Sequence, residues 1–219
     1  MSRVNSFVKV WSPDKKPGLV ERIKSKVTPQ PPLRYKLTIA LYKIRTETNK
    51  LDYMIAKMKE RDAALFEKVV QAQMDKDQAR AAMYASEVAE IRKLVKALMT
   101  AKLALERVGL RLETVMAMGD VVAGIAPVVG VIKDLRKYLL GIVPEIGLEL
   151  TEIGELLESV VAEAGEFTAF TSMPTVYSEE AKKILEEAAA VAEQRMKTEF
   201  PELPSPGVSI EPPQSQKQH

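Results

Sequence analysis

Apolar residues recur along this chain at seven-residue intervals. Ile44, Leu51, Met58, Leu65 and Ala72 follow Leu37 at that spacing, and Leu41, Thr48, Ile55, Asp62 and Val69 occupy the complementary positions. A helix with this pattern buries one long stripe against another helix. The same interval returns in Ile91, Leu98, Leu105 and Leu112, interleaved with Leu94, Ala101, Val108 and Val115. From Leu33 to Val108, a stretch of 76 positions, there is neither Gly nor Pro, the two residues that most weaken helix interiors. One unbroken rod of that length would exceed ~110 Å at 1.5 Å per residue, so the pattern predicts a reversal. Gln73 to Asp77 is the best place for it, because Asp75 and Asp77 are good helix N-caps. Two antiparallel helices follow, about 33–73 and about 76–118, with their stripes facing each other as a hairpin.

Beyond Val108 the texture changes. Eight of the ten glycines lie between Gly109 and Gly165, with Pro127 and Pro144 among them, although Ile132, Leu135, Leu139, Ile142, Ile146, Leu150, Ile153 and Leu157 keep helical spacing. Shorter helices are expected here. Their glycine junctions serve either close packing or a switch between bent and continuous forms, each Gly costing on the order of 1 kcal/mol in a helix interior. Ser172 to Val176 reads as a linker, Glu179 to Thr198 as an acidic, alanine-rich helix starting near Ser178, and the proline-rich chain from Pro201 onward as extended. The fold class is therefore all-α: a long antiparallel hairpin followed by shorter helices. The expected units are a basic N-terminal segment (1–32), the hairpin (33–118), a Gly-rich pair of helices (119–171), and an acidic helix with a proline-rich tail (172–219).

Few aromatics and many Ala, Leu, Val, Glu and Lys agree with long helices. The longest apolar run, Val121 to Ile132, falls short of the ~20 residues needed to span a bilayer, and no signal peptide is visible. Charge adds more. Residues 1–62 hold 15 Lys/Arg against 6 Asp/Glu, whereas residues 121–219 hold 8 against 16. A basic end suits an anionic surface, either lipid or nucleic acid, and an acidic end can fold back over it or meet a neighbour's basic end.

The inventory of chemistry argues against an enzyme. There is no Cys, the single His is the terminal His219, and no Gly-Lys-Ser/Thr follows the glycines near 119–130, so thiolate, imidazole, metal-ligand and P-loop chemistry all lack their residues. No catalytic residue, cofactor or metal is expected.

The stretch Asp77-Gln-Ala-Arg80-Ala81-Ala-Met-Tyr84-Ala85-Ser-Glu87-Val-Ala-Glu90-Ile91-Arg92-Lys93, with Ala104-Leu-Glu106-Arg-Val-Gly-Leu-Arg111-Leu-Glu113 after it, resembles the second core helix of ESCRT-III proteins, especially the archaeal cell-division CdvB group. The likeness runs from about Leu33 to Val161 and is to paralogues without a winged-helix domain. It implies an ESCRT-III core-like fold, with a helix 1–helix 2 hairpin, a mobile following region and an autoinhibitory acidic C-terminal segment. It also implies a subunit that polymerises with itself and with paralogous ESCRT-III-like subunits into membrane-associated filaments that remodel, constrict or sever membrane in archaeal cell division. The further partners implied are anionic membrane lipid and an AAA+ ATPase with an MIT domain. Its place would be cytoplasmic, peripheral on the inner face of the membrane at the division site.

Candidate sites follow. Arg34, Lys36, Lys43, Arg45, Lys50 and Lys57 would meet anionic lipid. Val4, Phe7, Val8 and Trp11 share one helical face at i, i+3, i+4 and i+7, fitting either insertion at the membrane interface or docking on the protein's own hairpin. Pro201, Leu203, Pro204, Pro206 and Val208 are similar to the extended, proline-rich motif by which family members bind the MIT domain. The alternative reading is a coiled-coil scaffold or adaptor without membrane-remodelling activity. A nucleic-acid binder is not expected, since no aromatic interleaving or reading motif accompanies the basic half.

Overall fold

The computed structural model describes residues 32–118, 121–168 and 174–203. Among these stand five helices and no strand: α1 (Leu33–Met74), α2 (Gln78–Met118), α3 (Val121–Leu140), α4 (Pro144–Thr168) and α5 (Pro174–Glu199). The all-α expectation, a long hairpin followed by shorter helices, is met. α1 and α2 form the hairpin, α4 lies on α1, α5 lies on α2, and α3 packs against α2, α4 and α5.

The seven-residue pattern explains the hairpin. Leu37, Ile44 and Leu51 of α1 and Leu98, Leu105 and Leu112 of α2 are all essentially fully buried, and burying one such side chain contributes about 1.5–3 kcal/mol. The reversal is closed by a Schellman arrangement. The Asp77 amide donates to the Ala72 carbonyl at 2.9 Å and the Lys76 amide to the Gln73 carbonyl at 3.0 Å, satisfying carbonyls that the end of α1 leaves open. Lys76 takes the left-handed conformation, φ 59°, where Gly or Asn is usual. Asp77 then caps α2, its Oδ1 accepting the Arg80 amide at 3.0 Å.

α3 continues through Pro127. A proline there removes one backbone bond and costs roughly 3 kcal/mol. Burial of Ile125, Val128, Val131, Ile132, Leu135 and Leu139 offsets that cost, so the Gly-rich region forms helices of 20 and 25 residues rather than short pieces. One glycine is there for close approach: a Cβ on Gly124 would overlap Val115 Cγ2 of α2. α5 begins at Pro174, ahead of the start near Ser178 that the sequence suggests, because proline suits the first helical position. Its buried face is Ala181, Ile184, Ala188 and Ala192, and the three alanines allow α5 to lie close to α2 and α3.

Candidate functional site

Two antiparallel seams of charge carry the acidic half of the chain onto the basic half. On the first, α4 lies along α1: Lys36 pairs with Glu163 and donates to Ser159 at 3.4 Å, Lys43 pairs with Glu152 and Glu149, and Lys50 pairs with Glu145 at 3.5 Å. The three lysines repeat every seven residues, as Glu145 and Glu152 do; that shared period sets the register. The bond to Glu152 holds the Lys43 ammonium above its ordinary pKa.

On the second seam, α5 lies along α2 through Arg107–Glu187, Arg111–Glu180 and Lys96–Glu193, and reaches α1 through Lys59–Glu199. Hydrogen bonds from Lys197 and then Lys96 hold the Glu193 carboxyl below its ordinary value. Arg111 joins three helices, because its Nε also donates to the Gly124 carbonyl of α3 at 2.8 Å.

At the far end of α5 sits a clamp. Arg92 donates to both carboxylate oxygens of Asp62, at 2.8 and 3.2 Å, and to the Pro201 carbonyl at 2.6 Å. Its guanidinium lies over the Phe66 ring, 5.6 Å from the ring centre, and over that of Phe200, 5.3 Å away, both within cation–π reach. Asp62 and Arg92 side chains are 4% and 15% exposed.

Of the six α1 cations expected to meet anionic lipid, three stand against α4 in this chain. Lys36 is buried under α4, and Lys43 and Lys50 are turned toward its carboxylates. Arg45 is exposed but pairs with Glu113 of α2; Arg34 and Lys57 are exposed. Of the tail residues, Pro201 is exposed and Leu203 half-buried. Val4, Phe7, Val8, Trp11, Pro204, Pro206 and Val208 lie outside the described residues. Among the described residues, no helix is long and apolar enough to cross a membrane and no acidic, His or Cys cluster is placed to hold a metal ion.

Over 203 residues, 93% of its length, the chain is 51% identical to Cell division protein B1 of Sulfolobus acidocaldarius and covers 92% of that protein. The chain belongs to the cell division protein B family. Within this family it is also 40% identical over 164 residues to Cell division protein B of the same organism, covering 63% of that protein, and 31% identical over 167 residues to Cell division protein B3, covering 96% of it. These are the ESCRT-III-like proteins that the second-helix motif resembles. Neither a protein-family model nor a solved structure matches the chain.

Sequence reasoning placed Asp62 in the hairpin stripe without its partner. A carboxylate at an otherwise apolar stripe position was the available signal for a buried cation opposite, and Arg92 meets it. It also missed Glu47, which in this family member is buried at the α1–α4 seam. Glu47 Oε1 lies 3.0 Å from Lys50 Nζ, and its Oε2 is buried and finds no hydrogen-bond partner among the described residues. Burial raises its pKa against the opposing pull of Lys50, and Glu149 and Glu145 across the seam add to the rise.

The sign of the pH effect follows. Because the folded chain binds this proton more tightly than the unfolded chain, the contribution is full below the ordinary carboxylate range and is lost as pH rises through the raised value. Glu47→Gln, which keeps an acceptor for Lys50, is expected to raise the melting temperature by about 2–4 °C at pH 7 and to leave it unchanged at pH 4. Thermal melts of both chains at the two pH values check this, and equal shifts at both would refute it.

Proposed function

We propose that this chain is a non-enzymatic filament subunit that assembles on an anionic membrane surface, with itself and with paralogues, and constricts or remodels that membrane during cell division. The supporting observation is the pairing of the acidic helices α4 and α5 with the basic faces of α1 and α2. A chain whose opposite charges are matched within one molecule has a closed, self-satisfied form. Released, the same faces match those of a neighbouring copy, and the cations of α1 (Arg34, Lys36, Lys43, Arg45, Lys50, Lys57) turn to lipid, each contributing about 1 kcal/mol near an anionic surface. The relatives' names, cell division proteins, supply the process.

Two segments complete the reading. The N-terminal face of Val4, Phe7, Val8 and Trp11 acts as an interfacial anchor. The tail around Pro201, Leu203, Pro204, Pro206 and Val208 docks in extended form on the MIT domain of an AAA+ ATPase that takes filaments apart, its prolines reducing the ordering cost of binding.

The test is sedimentation of the purified chain with anionic and with neutral liposomes, followed by negative-stain microscopy of the pellets. Salt-sensitive co-sedimentation with the anionic vesicles and regular filaments on them are expected. A small, defined oligomer that ignores anionic liposomes would establish the scaffold reading instead.

A further inference from the structure

We infer that the solvent-facing side of α1 carries a row of tyrosines, Tyr35, Tyr42 and Tyr53, that seats in the headgroup layer of an anionic lipid bilayer. This rests on the membrane reading above and names the residues that make the contact in the closed chain, where Lys36, Lys43 and Lys50 face α4.

The three side chains are 57%, 72% and 70% exposed. At 100° per residue, spacings of seven and eleven leave them within about 20° of a single line, and Tyr53 stands five turns beyond Tyr35, about 27 Å along the helix. The buried stripe of Leu37, Ile44 and Leu51 lies on the opposite side of the helix, so the row faces directly outward.

Between the rings stand Thr38, Thr46 and Asn49, and Ala56 follows the last ring, none of them charged. The two threonine hydroxyls are turned into their own helix: Thr38 Oγ1 donates to the Arg34 carbonyl at 2.9 Å and Thr46 Oγ1 to the Tyr42 carbonyl at 3.0 Å. Their methyl groups are left to line the face. Of the carboxylates α1 itself carries here, Glu47 is buried at the α4 seam and Asp52 pairs with Lys102 of α2; Glu145 of α4 stands beside Tyr53 but is matched by Lys50. Arg34 and Arg45 border the row on one edge and Lys57 on the other, and the row ends at Glu60, the first carboxylate on its line.

Tyrosine suits the boundary between apolar chain and water, with its ring on one side and its hydroxyl on the other. A straight, uncharged aromatic row edged by cations complements a flat layer of negative headgroups. A second copy is a poorer occupant, because a self-complementary contact would bring the cationic edges of two chains together.

The full chain is sedimented with vesicles of phosphatidylserine and phosphatidylcholine, and with phosphatidylcholine alone. Replacing all three tyrosines by Ser keeps every cation and, at exposed positions, leaves thermal unfolding unchanged; partitioning to the anionic vesicles is expected to fall about tenfold. Replacing all three by Phe should preserve binding. As a direct reporter, Tyr42→Trp in the otherwise unaltered chain should add emission that shifts to the blue, beyond any change of Trp11 in the wild type, when anionic vesicles are added.

If the wild-type chain ignores anionic vesicles, the membrane reading itself fails. If the wild type binds and the Ser variant binds equally, or the Trp reporter does not shift, the tyrosine row alone is refuted. A Ser variant that keeps vesicle binding but loses lipid-free assembly or nucleic-acid retardation would give the face to another partner and overturn the inference.

Discussion

Asp62→Ala is expected to cost about 3 kcal/mol of folding stability, the range seen when one partner of a buried ion pair is removed. The carboxylate is almost wholly enclosed and accepts two bonds from Arg92. Its loss leaves a guanidinium over the Phe66 and Phe200 rings with, among the described residues, only the Pro201 carbonyl as a hydrogen-bond acceptor. The partial exposure of Arg92 lets water recover some of that cost, which keeps the figure at the lower end of the range. Removing an exposed pair offers the contrast: Lys93 and Glu90, 73% and 70% exposed, should be worth well under 1 kcal/mol. Urea unfolding of the two single variants checks the difference. The double replacement Asp62→Leu with Arg92→Met should recover most of the loss, since no unpaired charge remains buried. Equal midpoints for Asp62→Ala and Lys93→Ala would show that the clamp contributes little to the fold.

How much of this was legible beforehand depends on whether the cause is local. The hairpin is written in spacing that one helix carries alone: seven-residue apolar repeats, no Gly or Pro across 76 positions, and an Asp ready to cap α2. The place of the turn, Gln73 to Asp77, was legible as well; hidden was its left-handed position, which holds Lys76 where a glycine would have marked it. Pro127 misled in the other direction. Its local cost is real, but the apolar residues around it are buried by α2, α4 and α5 together, and only the assembled core outweighs one lost bond. For the candidate site, charge asymmetry announced that acid could meet base. The partners were visible only as matching periods in Lys36, Lys43, Lys50 and Glu145, Glu152; which helix lies on which requires the tertiary arrangement. The clamp is harder still, since Phe66 comes from α1, Arg92 from α2 and Phe200 from the residue that follows α5.

Truncation after Ala169, which removes α5 and the tail, is expected to lower the concentration for assembly by at least about tenfold at low salt. The expectation rests on the filament reading and on a two-state balance between closed and open chains. A competent form populated at fraction f shows its intrinsic affinity weakened by that fraction, and each ~1.4 kcal/mol of closing free energy is a tenfold change. α5 brings four buried apolar residues and ion pairs at Lys96, Arg107, Arg111 and Lys59, so a closing term of this size is reasonable even after surface pairs are discounted for solvent screening. Salt separates the contributions. The ion pairs are half-exposed and weaken as the Debye length shortens, so the full-length chain should approach the truncated one as ionic strength rises. A chain that keeps α5 but carries Arg107→Glu and Arg111→Glu should fall between the two, its docking weakened without loss of the apolar face. Light scattering gives the threshold concentration, and electron microscopy distinguishes regular polymer from the amorphous aggregate that an uncovered apolar face could produce. If the truncated chain stays monomeric wherever the full-length chain does, α5 is a structural cover, and control of assembly must then lie in the α1–α4 seam, where Lys36 is buried against Glu163.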